Sequence, residues 1–186
     1  TYDQIYHEHV TYWTVASAVN LFAKVGMSVV DVEQVEYHGG SLRVFVKHEG
    51  VPTLRVSQLV LAEVKAGLYK PETYVAFHDD IFYRRQATLR TLHNRRRGPI
   101  VCVGAAAKGN TFLNYHRLDA SLITCVTDTS PQKIGKWTPG SRIPIQPDTI
   151  LAEYDQPAVI LTAWNLASTL KPILTAINPR TQVLTL

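Results

Sequence analysis

Near the amino terminus, Tyr6-His7-Glu8-His9 sets a phenol, two imidazoles and a carboxylate in four consecutive residues. An imidazole close to its ordinary pKa is the usual general base at neutral pH, and a carboxylate beside it can fix its tautomer and raise its basicity. The same residues also read as a polar surface turn with two solvated histidines. A metal pair of His7 and His9 is a third reading. That alternate spacing shares a face only in a strand, and no further ligand cluster follows, so no metal site is expected.

A second constellation is Gly104-Ala105-Ala106-Ala107-Lys108-Gly109-Asn110, a glycine turn between an apolar run and a helical one. Backbone amides and the helix dipole make such a turn an anion site. It departs from the dinucleotide fingerprint, because Ala106 stands at the second glycine. It departs from the Walker A loop as well: Asn110 replaces the required lysine and Lys108 is misplaced for it, which excludes ATP hydrolysis. Asp128, at the end of the next apolar run, could hold a ribose or cap a helix. A phosphate-facing crevice and a purely structural turn both remain open for this stretch.

The elements that must position these residues follow from periodicity. Residues 10–25 carry an apolar face at helical spacing, closed by Gly26. Residues 27–35 and 41–47 alternate as strands around His38-Gly39-Gly40, predicting an antiparallel hairpin. Asp31, Glu33 and Glu36 punctuate the first strand. From Thr53 to about Arg97 helical spacing returns, with one helix through Leu59, Leu61, Val64 and Leu68 that ends before Pro71, and a longer one over 74–93. Gly98-Pro99 breaks the pattern and marks a domain boundary. Beyond it, strands at 100–103, 122–127, 158–162 and 182–186 alternate with helices at 111–117 and 166–176, the pattern of a small doubly wound parallel sheet. Residues 130–145 read as a proline- and glycine-rich loop.

The chain has 186 residues, 46% hydrophobic and 18% charged, which suits one or two compact domains. No apolar run approaches the roughly 20 residues needed to span a bilayer, so a cytoplasmic protein with no membrane partner is expected. Cys102 and Cys125 lie in strand-like runs and read as buried free thiols. The net charge of +4 comes without an aromatic-interleaved basic stripe, so no nucleic-acid partner is expected. Arg95 to Arg97 reads as a solvated helix end.

The helix, strand, glycine turn and reversed strand of the first half resemble the closing units of a class I S-adenosylmethionine-dependent methyltransferase sheet. More specifically, Tyr2-Asp3-Gln4-Ile5-Tyr6-His7-Glu8-His9 with Tyr12, and His38-Gly39-Gly40-Ser41-Leu42-Arg43-Val44, resemble the sugar C-methyltransferase family. In the second half the glycine turn through Thr111, the Lys133 to Pro139-Gly140 loop and Ala163-Trp164-Asn165 resemble that family's C-terminal Rossmann-like domain. The resemblance implies an α/β chain in three parts: the end of a methyltransferase sheet with the catalytic motif (1–50), a helical connector (51–98) and a small Rossmann-like domain (99–186). It implies the carboxy-terminal portion of an enzyme whose S-adenosylmethionine site lies mostly upstream.

The implied activity is methyl transfer to a ring carbon of a nucleoside-diphosphate keto-deoxysugar through an enolate. By the family motif, His9 is the base, Glu8 its orienting partner and Tyr6 a hydrogen-bond donor. Tyr12, His38, Ser41, Gly104, Lys108, Gly109 and Asn110 are the expected contacts to the nucleotide sugar. The alternative is a non-catalytic nucleotide- or dinucleotide-binding module that uses the glycine turn and Asp128. A hairpin over 27–47 is marginal alone, so it is expected either to pair with a second copy or to pack on the 53–97 helices.

Overall fold

A computed structural model describes residues 2–95 and 97–184. By packing, the chain forms two compact units, Val10–Asp80 and a second made of Thr1–His9 with Ile81–Leu186. The division expected at 50 and 98 follows chain order, whereas these units follow proximity of the backbone in space.

In the first unit, helix α1 (Val15–Lys24) opens on a capping box, in which Thr14 Oγ1 accepts from the Ser17 amide and Ser17 Oγ accepts from the Thr14 amide. It closes as the terminal glycine predicts: Gly26 sits at φ +72°, and the Gly26 and Met27 amides return to the Ala23 and Phe22 carbonyls. Strands β1 (Ser28–Val35) and β2 (Ser41–Lys47) pair antiparallel with a bulge near Val29 and Asp31. Helix α2 (Leu54–Lys65) starts five residues earlier than Leu59. The acidic residues of β1 hold that early start, since Thr53 Oγ1 donates to Asp31 and Arg55 pairs with Asp31 and Glu33. Val15, Val29, Val32 and Val56 form the core, so the hairpin's apolar face is covered by α1 and α2 within the unit.

Helix α3 (Pro71–His93) begins at Pro71, which serves as its first residue rather than merely ending α2. The parallel sheet of the second unit comprises β3 (Ile100–Val103), β4 (Cys125–Thr127), β5 (Ile145–Gln146), β6 (Ala158–Leu161) and β7 (Gln182–Leu184), in the order β5-β4-β3-β6-β7. All four pairings are parallel. Counted within this sheet the order is 3-2-1-4-5, that of a doubly wound fold, and winding reverses between β3 and β6. Alternation along β3 buries both faces. Ile100 and Cys102 pack with Leu92 of α3 and Leu113 of α4 (Ala107–His116), while Val101 and Val103 pack with Leu174 of α5 (Ala167–Ile177).

Several elements differ from their expected bounds. Helix α4 begins four residues before Thr111, taking Lys108, Gly109 and Asn110 into its first turns. Strand β4 is shorter than 122–127, because Asp119 draws the Ser121 amide and hydroxyl into a turn first. Strand β5, in a stretch that reads as loop by sequence, is two residues held between Pro144 and Pro147. The last strand is expected to reach 186, and its Thr185 and Leu186 lie outside the described residues. Arg95 is not a solvated helix end: it is half-buried and donates to Gln182 Oε1 (2.7 Å) and the Gln156 carbonyl (3.1 Å). Arg96 lies outside the described residues, and Arg97 is exposed. Both cysteines are buried free thiols, and burial pushes each thiol's pKa up.

Candidate active site

The amino-terminal segment folds back against the sheet unit. Residues Tyr2–Gln4 form a turn of 3-10 helix, and the Ile5 amide returns to the Tyr2 carbonyl. The Tyr2 ring lies 5.1 Å from Tyr115, and its hydroxyl is 3.4 Å from His116 Nδ1. Burial, with Asp3 nearby, pushes the Tyr2 phenol well above its ordinary pKa. Asp3 is 7% exposed and its Oδ2 accepts from Trp164 Nε1 at 2.6 Å.

Tyr6-His7-Glu8-His9 follows as a tight turn, closed by the His9 amide on the Tyr6 carbonyl at 2.9 Å. Tyr6 is half-buried, while His7, Glu8 and His9 are exposed. The His9 and Tyr6 rings are 4.0 Å apart. His9 Nδ1 lies 2.9 Å from the Gln4 carbonyl oxygen. A carbonyl can only accept, so Nδ1 carries the proton and Nε2 of the neutral ring keeps its lone pair. Gln4 thus occupies the partner position that the sequence assigns to Glu8.

The glycine turn lies at the carboxyl end of β3, beside the end of β6. Gly104 sits at φ +104°, a backbone that glycine adopts freely. Thr162 Oγ1 donates to the Val103 and Gly104 carbonyls, each at 2.7 Å, and straps the ends of β3 and β6 together. Asp128 holds the other side: it accepts from the Ala105 amide (2.9 Å), the Ser130 amide (2.8 Å) and Lys133 Nζ (3.0 Å). Burial raises its carboxyl pKa, but these three donors outweigh burial and hold it below the ordinary carboxylate value. Asp128 therefore shapes the turn.

Gly109 faces β6. A methyl there would stand 2.8 Å from both the Gly104 carbonyl oxygen and Thr162 Oγ1. Asn110 lies one turn into α4, bonded to Asn114, which also donates to the Pro139 carbonyl and so anchors the 133–140 loop. Lys108, 9% exposed, places Nζ 4.8 Å from the centre of the Trp164 ring and 3.4 Å from Asn165 Oδ1.

The second unit therefore holds Tyr6, Glu8 and His9 as well as Gly104, Lys108, Gly109 and Asn110. Tyr12, His38 and Ser41 belong to the Val10–Asp80 unit. Tyr12 is exposed, His38 sits in the hairpin turn at φ +54°, and Ser41 Oγ donates to the Tyr37 carbonyl. Asp3 and Trp164 carry no role by sequence, although both fall inside the stretches that bear the family resemblance. Among the described residues, no group of three His, Cys, Asp or Glu could hold a metal ion. Nor is any helix there long and apolar enough to cross a membrane.

The chain is similar to known proteins along most of its length. The family described as "C-methyltransferase C-terminal domain" matches residues 36–181, a span that holds the glycine turn and Trp164 and starts after Tyr6–His9. C-methyltransferase NovU of Streptomyces niveus is 33% identical over 177 residues, which cover 89% of this chain and 41% of that protein. The chain thus spans less than half the length of this relative.

Proposed function

The chain belongs to the C-methyltransferase C-terminal domain family, and on that premise we propose that it is the carboxy-terminal part of an enzyme that methylates a ring carbon of a nucleoside-diphosphate keto-deoxysugar. One observation carries the chemical part of this proposal. His9 donates through Nδ1 to the Gln4 carbonyl, which makes Nε2 the proton-accepting nitrogen of the neutral ring, next to the Tyr6 phenol.

The hydrogen on a carbon next to a ketone is acidic, because the electron pair left behind spreads onto the ketone oxygen. His9 Nε2 takes that proton, and the ring becomes an imidazolium that still donates through Nδ1 to the Gln4 carbonyl. The C–H bond pair becomes the enolate, and in this reading the Tyr6 hydroxyl donates to the developing oxyanion or to a sugar hydroxyl. The enolate carbon is then the nucleophile for a methyl group.

S-Adenosylmethionine is the methyl source this reading requires. The strand-to-helix glycine turn does not fit it. Ala106 presents a side chain where a glycine would let the backbone approach a nucleotide. Asp128, the candidate ribose ligand, is engaged by Ala105, Ser130 and Lys133. We therefore assign the donor site to residues outside this chain. The same two facts remove the support for a dinucleotide-binding module. The first-turn amides of α4 remain suited to an anion such as the substrate diphosphate.

The test is deuterium exchange in the complete enzyme. In D2O without methyl donor, the nucleotide keto-sugar should exchange the hydrogen beside its ketone. His9→Asn should slow both exchange and turnover by about 100-fold or more, with little change in substrate affinity. Near-normal exchange in that variant would move the base elsewhere, Tyr6 being the next candidate.

A further inference from the structure

We propose that Trp164 is a positioning residue for the His9 base, acting across the fold through Asp3 and the Gln4 carbonyl. The inference rests on His9 being that base.

Trp164 stands at the end of β6, at the point where winding of the sheet reverses. Its backbone is set by the Thr162 amide on the Val103 carbonyl (3.1 Å) and the Leu166 amide on the Ala163 carbonyl (2.9 Å). Lys108 Nζ over the ring, 4.8 Å from its centre, holds the indole plane. The indole N–H therefore points from a rigid element, and it donates to Asp3 Oδ2.

Asp3 depends on that donor. The residue is buried, and its Oδ1 has no hydrogen-bond partner among the described residues. A buried carboxyl group needs hydrogen-bond donors in place of water, and Trp164 Nε1 is a donor the structure supplies. The bond thus fixes where the Tyr2–Gln4 turn docks, helped by the Tyr2 ring against Tyr115.

Gln4 passes this placement to His9. Its carbonyl oxygen accepts from the Tyr6 amide (3.1 Å) and from His9 Nδ1 (2.9 Å). One oxygen thereby sets both the start of the Tyr6–His9 turn and the tautomer of the ring. If the turn slips, His9 loses the acceptor that keeps the proton on Nδ1. The same bond also fixes the direction in which Nε2 faces, because Nε2 lies across the ring from Nδ1.

The test, in the complete enzyme and per folded molecule, compares kcat and KM with the rate at which the hydrogen beside the substrate ketone exchanges in D2O without methyl donor. Trp164→Phe keeps the ring over Lys108 and removes the N–H. Asp3→Ala removes the acceptor and spares the sheet. Each should lower kcat and the exchange rate together by about 10-fold or more, as small misplacements of a catalytic group do, and leave KM little changed. Asp3→Asn keeps an oxygen for Trp164 Nε1 and should restore both rates. A fall in kcat without a matching fall in exchange, or rates that Asp3→Asn does not restore, would overturn the proposal, because exchange reads the step that His9 performs. Unchanged kcat and exchange in Trp164→Phe and Asp3→Ala, alongside an inactive His9→Asn, would overturn the positioning role alone. An active His9→Asn would remove the base assignment and this inference with it.

Discussion

Gly109 separates packing from ligand binding within the glycine turn. Its backbone is ordinary helix, so alanine meets no strain in φ, and in the first turn of α4 it should favour the helix by up to about 1 kcal/mol. The obstacle is space. A Cβ would lie 2.8 Å from the Gly104 carbonyl oxygen, 2.8 Å from Thr162 Oγ1 and 2.9 Å from Thr162 Cβ. Ordinary contact begins near 3.4 Å, so α4 must lift from β6 by about 0.6 Å or Thr162 must turn. Thr162 is buried and its hydroxyl straps Val103 and Gly104, so turning it breaks both bonds. Overpacking of this kind costs about 1–3 kcal/mol. With a backbone oxygen and a doubly bonded threonine as the obstacles, the cost falls at about 2–3 kcal/mol. After a gain in helix propensity of about 1 kcal/mol, Gly109→Ala should be less stable by about 1–2 kcal/mol. Urea unfolding followed by tryptophan fluorescence measures this, since Trp137 and Trp164 both report on the sheet unit. Gly135→Ala is the control, a strained glycine at φ +81° with open space around it. An unchanged or raised midpoint for Gly109→Ala would refute the argument that this glycine exists to let α4 approach β6.

Two further outcomes follow from single side chains. Burial is the main cause that pushes the His116 pKa below its ordinary 6.5, with the Phe112 carbonyl opposing and the Arg85 charge adding to it. The unfolded chain therefore takes up a proton that the folded chain refuses, and stability should fall as pH drops below about 6.5. His116→Gln should flatten that slope in urea midpoints measured from pH 7.5 to 5.5, and an identical slope in the variant would refute the assignment. Glu63, reaching from α2, accepts the Val15 and Ala16 amides at the start of α1 and the Tyr69 hydroxyl. Glu63→Ala should cost about 1–2 kcal/mol and speed hydrogen exchange in the first turn of α1, and unchanged exchange there would refute a capping role.

Elements written in local pattern are legible in the amino-acid sequence alone. The four apolar residues 100–103 announce a strand buried on both faces, and β3 is that strand to the residue. Gly26 ends α1, and His38-Gly39-Gly40 turns β1 into β2, because few other residues adopt those backbone angles cheaply. The tetrapeptide Tyr6–His9 is legible as chemistry, since side-chain type alone shows what can move a proton. The choice between a polar turn and a base rests on family resemblance.

What tertiary structure decided are the questions whose answers lie far away in sequence. Gly109-Asn110 reads locally as a turn, yet it is helix, because the absent side chain of Gly109 lets α4 seat against Thr162 of β6. Asp128 reads as a ribose ligand until Ala105, Ser130 and Lys133 are seen to claim its oxygens. Arg95 reads as a solvated cation, but Gln156 and Gln182 are brought to it by the sheet. Glu8 is adjacent to His9 in sequence, and yet Nδ1 finds the Gln4 carbonyl, because the turn geometry brings that oxygen to the ring. The bond from Trp164 to Asp3 spans 161 residues. Periodicity and propensity describe neighbours along the chain, whereas a hydrogen bond of that span exists only once the sheet has placed its two ends together.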